Sequence, residues 1–223
     1  MSESPRQALI VYGGWDGHTP QACAELMAER LEGHAIQARL ADSLAVLDDD
    51  QAMRRVDLIV PIWTMGEISD PQWKALGAAI HNGAGLAGFH GGMVDAFRAN
   101  TEYQWMTGAQ WVAHPGNEHV TYRVEIANSD HPITRGLSGF VLPNTEQYYC
   151  HHDPGNTVLC TTKFDQGHGD PSRYHQNVVM PYAWTKSWGA GRVFGAAWGH
   201  TVKDFDVPEA LEIVIRGMRW ACR

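Results

Sequence analysis

The feature that most constrains this chain is an alternation of apolar runs and helical patterns that fills its first 90 residues. "ALIVYGG" (Ala8–Gly14) is a continuous apolar run ending in glycines. Such a run suits a parallel strand, because helices cover both faces of a parallel sheet. Thr19 offers a helix cap and Pro20 a first helical residue; "ACAELMAERLEG" (Ala22–Gly33) then carries helical apolar spacing and a glycine stop. "AIQARLA" (Ala35–Ala41) alternates as a strand does, and "VDLIVPIW" (Val56–Trp63) repeats the buried-strand pattern. Ser69 and Gln72 are spaced as a capping box with Pro71 in the first turn, which predicts a helix to about Gly83. "AGLAGFH" (Ala84–His90) is the fourth predicted strand. Right-handed crossovers between such units give an α/β fold with a doubly wound, mostly parallel sheet.

The second half reads differently. "MVDAFRANTEYQWMTGAQWV" (Met93–Val112) has an interrupted helical pattern. "HVTYRVEIA" (His119–Ala127), "TVLCTTKF" (Thr157–Phe164), "VMPYAWTKSW" (Val179–Trp188) and "GRVFGAAWG" (Gly191–Gly199) predict added strands, and Pro208–Arg223 an amphipathic closing helix. No repeat or linker divides the chain, so residues 1–223 are expected to form one domain. The polar stretch Asp165–Asn177 is long for a loop, a length that usually accompanies function or mobility.

Charge narrows the function classes. The net charge is −8, and no basic stripe appears. Nucleic acid and anionic membrane surfaces both need clustered Lys and Arg, so neither is an expected partner. No apolar run is long enough to span a bilayer and no export signal is visible, which predicts a cytoplasmic protein. Cys23, Cys150, Cys160 and Cys222 make no C-x-x-C pair and read as reduced, structural thiols. Twelve histidines and nine tryptophans point instead to a site of imidazoles and flat aromatic faces.

In open α/β sheets, ligands bind beyond the carboxyl ends of the strands. The loops after the first, third and fourth predicted strands would bring Trp15, Asp16, His18, Trp63, Glu67 and His90 to one rim. His90 stands in "GLAGFHGGM" (Gly85–Met93), a strand–turn–helix layout that elsewhere carries a nucleophile. A helix start favours a neutral imidazole there, fit for base, hydrogen-bond or ligand work; the plainer reading is a glycine turn built for packing. His114 follows a helix, and His200 ends a late strand where a general base can sit. "NTEQYYCHHDP" (Asn144–Pro154) is dense in acid, phenol and imidazole, and strand alternation would give Glu146, Tyr148 and Cys150 a common face. No contiguous metal motif occurs, but histidines from separate loops can still assemble a divalent-metal site. The turn "GGWDGH" lacks G-x-G-x-x-G and no Walker motif exists, so no nucleotide is expected.

These pieces, with "DHPITRGL" (Asp130–Leu137) and "MPYAWTKSWGAGRVFGAAWGH" (Met180–His200), resemble the trehalose-utilisation (ThuA-like) family. The resemblance runs nearly the whole chain in order. It implies a flavodoxin-like fold of the class I glutamine amidotransferase-like type, and a link to disaccharide or keto-sugar catabolism. Amidotransferases hold a cysteine at the turn; this chain holds His90, and glutaminase chemistry needs a thiolate. Glu146 and His200 match family positions near the catalytic rim. The expectation is an enzyme acting on a small-molecule sugar: His90 or His200 as base, Glu146 as acid or orienting group. Trp15, His18, Trp63, His114, Tyr148 and Trp188 would contact the sugar, and Lys186 would polarise a carbonyl. The alternative is a non-catalytic sugar sensor on the same frame. A homo-oligomer suits the architecture, and no sequence signal fixes it.

Overall fold

The computed structural model describes residues 5–164 and 178–223, without the side chain of residue 50. The expected loop Asp165–Asn177 lies outside the described residues. The chain begins β1 (Arg6–Gly14), α1 (Pro20–Glu32), β2 (Ile36–Ala41), α2 (Asp50–Arg55), β3 (Leu58–Thr64), α3 (Asp70–His81) and β4 (Gly85–Phe89). It continues with α4 (His90–Val94), α5 (Thr101–Thr107), β5 (Ala109–Ala113), β6 (Val120–Ile126), β7 (Phe140–Thr145) and β8 (Tyr149–His152). The last elements are β9 (Thr157–Phe164), β10 (Val178–Trp188), β11 (Gly191–Ala196) and α6 (Pro208–Ala221).

The main sheet has nine strands in the order β2-β1-β3-β4-β11-β10-β9-β6-β7. From β2 to β11 neighbours run parallel; from β11 to β7 they run antiparallel. The sheet is thus the flavodoxin-like α/β frame with strands added from the second half. Helices α1 and α6 touch each other and pack on the parallel strands, while α3, α4 and α5 form a second connected group. Apolar side chains of α1 (Met27, Leu31) and α6 (Ile213, Val214, Met218) are buried against the sheet.

One local feature of β3 shapes the site. The β3–β4 ladder pairs Leu58 with Gly85 and Ile59 with Leu86 and ends before Pro61, which has no N–H to donate. Beyond that point α4 comes close to β3. A Cβ on Gly92 would strike the Pro61 carbonyl, and one on Gly91 would strike the Thr64 side chain. Gly92 is therefore required by close approach of two backbones, and Gly91 by the Thr64 side chain.

Three sequence expectations need correction. Residues 109–112 are not helical: they lie in β5, which pairs antiparallel with β8 in a separate two-stranded sheet. Their β-branched and aromatic pair, Trp111 and Val112, fits a strand once Gly108, at φ 86°, ends α5. Strand β7 was not expected at all; Pro143 and Asn144 near its end mask an otherwise strand-like run. Thr19 precedes α1 but makes no capping bond with its side chain; its Oγ1 instead accepts from the Val202 N–H at 3.1 Å. The Ser69–Gln72 capping box forms as expected, with both reciprocal bonds present.

Candidate functional site

The site gathers at the carboxyl ends of the parallel strands. After β1 the chain makes a short 3-10 turn, Asp16–His18, which turns His18 inward. Its Nδ1 lies 2.7 Å from the hydroxyl of Thr64, the last residue of β3. Two neighbouring strand ends are thereby tied together.

His90 occupies the β4–α4 turn with φ 47°. This left-handed conformation costs an ordinary residue about 1–3 kcal/mol and recurs where a turn aims a functional side chain. The ring is only 1% exposed. Its Nδ1 is 3.2 Å from the Ala197 carbonyl just past β11, and its Nε2 is 3.2 Å from Glu146 Oε2. Tyr148 stacks on the ring at 3.9 Å with planes 23° apart. Tyr148 is fixed in turn, its N–H donating to the Tyr182 hydroxyl at 2.8 Å.

Glu146 is the hub. It sits in the link between β7 and β8, and only 4% of it is exposed. Besides His90, three imidazoles face it: His18 Nε2 is 3.8 Å from Oε2, while His200 Nε2 and His114 Nδ1 are each 3.8 Å from Oε1. Glu146, Tyr148 and Cys150 are all buried, but so is the intervening Gln147, which donates to Thr162 at 2.8 Å, and of the three only Cys150 lies in a strand, so strand alternation does not set the faces here. Asp204 anchors the far side. Its Oδ2 accepts from the backbone N–H of Gly199 at 3.1 Å, that of His200 at 2.9 Å and the Thr145 hydroxyl at 3.0 Å.

Electrostatics assigns states to these groups. Burial pushes the Glu146 carboxyl up, but the His90 hydrogen bond and the surrounding imidazoles outweigh it and hold it at about 2. Burial, helped by neighbouring His90, lowers His18 to about 2 against the opposing pull of Glu146. Burial and His90 lower His200 as well. Glu146 is thus a carboxylate at neutral pH, and His18 and His200 are neutral rings with a free lone pair. His90 has both ring nitrogens beside oxygen atoms, the Ala197 carbonyl and Glu146, so the ring is held at both edges.

Above this cluster lies an open hollow of about 240 Å³. Trp15, His18, Trp111, His114, Glu146 and Tyr148 are among its walls. Trp15 is 47% exposed, and its ring meets His18 at 4.7 Å. The Arg98 guanidinium lies 4.8 Å over the Trp111 ring, held by a two-pronged bond to Asp95 at 2.6 and 2.9 Å.

Other expected site residues stand elsewhere. Trp63 points away from the hollow, its ring covering Gly13 and Gly66; the strand alternation that turns Trp63 out turns Thr64 in. Glu67 lines a separate hollow with Trp73 and Glu102, and Asp16 is exposed on its turn. Lys186 is bound to Asp153 at 2.8 Å and to the Trp105 carbonyl at 2.6 Å, a placement that replaces its expected carbonyl-polarising role. Trp188 packs edge-on against Trp105 rather than facing the cleft. Sequence reasoning missed Thr64, Arg98, Trp111 and Asp204. A strand run buried on both faces hides Thr64, and nothing local marks Asp204.

The trehalose-utilisation family (ThuA) matches residues 7–221. No curated protein matches the chain. Among solved structures, the chain is similar to a ThuA-like protein from Bacteroides uniformis: 19% identity and TM-score 0.78 over 99% of this chain and 93% of that one. It is similar to a ThuA-like protein from Parabacteroides merdae at 16% identity and TM-score 0.76, covering 97% of this chain and 90% of that one. A cytoplasmic protein from Salmonella typhimurium LT2 is also similar, at 11% identity and TM-score 0.68 over 97% of this chain and all (100%) of that one. At these identities the likeness speaks to the fold.

Proposed function

This chain belongs to the trehalose-utilisation (ThuA) family, and from that premise we propose that it is a cytoplasmic enzyme of carbohydrate utilisation, acting on a sugar or a 3-keto sugar by proton transfer. The observation that carries the proposal is one buried carboxylate, Glu146, faced by four imidazoles beneath an open, indole-walled hollow. The whole span 1–223 acts as one domain in this reading. No described helix is long and apolar enough to cross a membrane, and a similar Salmonella protein is described as cytoplasmic; both agree with the location.

The chemistry follows from the protonation states. His200 is neutral, partly accessible at 12% of its side chain, and backed by the Glu146 carboxylate. It can take a proton from a sugar hydroxyl or from a carbon next to a keto group, and Glu146 stabilises the imidazolium that forms. His114, with 31% of its side chain exposed, reaches the same hollow as a second donor or acceptor. His90 touches no solvent and is a positioning residue: it fixes the orientation and charge of Glu146. Trp15 and Trp111 offer flat faces to sugar C–H groups, with Arg98 and Glu118 as polar groups for hydroxyls. The hollow is smaller than the usual 300–1,000 Å³ or so of drug-sized sites, which favours one sugar ring at a time.

Amidotransferase chemistry has no support in the thiols. All four cysteines are buried, and burial pushes Cys23 up to about 11 and Cys160 to about 12, which disfavours the thiolate that glutaminase chemistry needs.

The test is turnover on disaccharides and their 3-keto derivatives, followed by mass spectrometry. We expect His200→Ala and Glu146→Gln each to lower kcat by about 10²–10⁴. Full turnover in both variants contradicts these roles, and saturable sugar binding with no product in the native protein would make the chain a sensor instead.

A further inference from the structure

Two imidazole nitrogens and a carboxylate oxygen of Glu146 have an arrangement that proton transfer alone does not explain. His18 Nε2, His200 Nε2 and a Glu146 oxygen all lie within 4.8 Å of one another. The His–Glu separations of 3.8 Å are too long for hydrogen bonds. They are close to the separation of about 3.4 Å between donors at the corners of a tetrahedron of ~2.1 Å bonds. The Thr64 hydroxyl lies 2.7 Å from His18 Nδ1 and orients the ring, with Nε2 turned toward the carboxylate. His114 stands beside them: its Nδ1 is buried, has no hydrogen-bond partner among the described residues, and lies 3.8 Å from Glu146 Oε1. Imidazole and carboxylate donors facing one another at this spacing suit a cation between them.

We propose that His18, Glu146 and His200 bind a divalent transition-metal ion of the zinc or iron(II) type, with His114 beside the open position. Imidazole and carboxylate donors suit these ions, and two histidines with one carboxylate leave coordination positions open. Thr64 and His90 complete the site from behind: Thr64 orients His18 through its far nitrogen, and His90 orients Glu146 through its other oxygen lone pairs. The ion sits at the floor of the hollow proposed above for sugar chemistry. Its task there, polarising a sugar carbonyl or hydroxyl oxygen with His114 serving as base in place of the ligated His200, rests on that reading; its binding does not.

The experiment uses the full chain, stripped with a chelator and dialysed. Zinc is titrated by calorimetry and cobalt(II) by visible absorption. One ion per chain with cobalt d–d bands is expected. Glu146→Gln and His18→Ala should weaken binding roughly 100-fold or more, and Thr64→Val about 10–100-fold. Far less than one zinc per chain in native protein, or undiminished binding in a folded His18→Ala or His200→Ala, overturns the site. Circular dichroism identifies variants that fail to fold; the native stoichiometry then decides. Stoichiometric zinc without any sugar turnover overturns the sugar reading and leaves the metal site standing. Undiminished turnover by stripped protein overturns the ion's catalytic task and leaves the sugar reading standing.

Discussion

His90 carries the main lesson at the residue scale. Its place on a strand-to-helix turn was legible, because glycines on both sides of one histidine after an apolar run permit little else. Its role was not. A side chain at a turn can face solvent or core, and only the packing of Glu146 and Ala197 against both nitrogens decides. Trp63 and Thr64 show the same limit: β3 could be read from its apolar run, but a run buried on both faces hides which neighbour faces the rim. Gly91 offers a test at this scale. An added Cβ would meet the Thr64 side chain that orients His18. Gly91→Ala is expected to cost about 1–3 kcal/mol through overpacking, lowering Tm by roughly 2–4 °C per kcal/mol. An unchanged Tm with unchanged His18 chemical shifts would contradict that geometry.

At the scale of elements, the parallel half of the sheet was readable because each strand and helix has its own periodicity and caps. The antiparallel half was less so. Strand β7 contains Pro143, and β5 follows a helix after a single αL glycine, so local propensity gives mixed signals and long-range pairing decides. Strand β8 carries a testable charge effect. His152 packs edge-on against Trp184 of β10 at 5.0 Å. Burial, helped by His151, lowers it from 6.5 to about 4. Between those values the unfolded chain holds the proton and the folded one does not, so stability is full above about pH 6.5 and falls as pH drops toward 4. The loss is on the order of 2 kcal/mol after allowing for partial exposure. Urea midpoints at pH 7 and pH 4.5 should separate more in the native protein than in His152→Gln; equal separations would refute the assignment.

Across the whole molecule, five side chains 18, 90, 114, 146 and 200 come from five separate segments and meet at one carboxylate. Sheet topology delivers three of them: the ends of β1 and β4, which flank β3, lie on the rim that the alternation implied, and β11 adds His200 beside β4. The other two depend on the β5–β8 sheet and the links around it, which no periodic pattern announces. That is why histidine number and rim position were legible, while the hub role of Glu146 and the anchoring by Asp204 were not. The most direct measurement of the central claim is a crystal structure of the protein soaked with a 3-keto disaccharide. The account predicts a sugar ring in the hollow against Trp15, with an oxygen within hydrogen-bonding reach of His200 or Glu146. A sugar bound at saturation elsewhere on the surface, with this hollow empty, would contradict it.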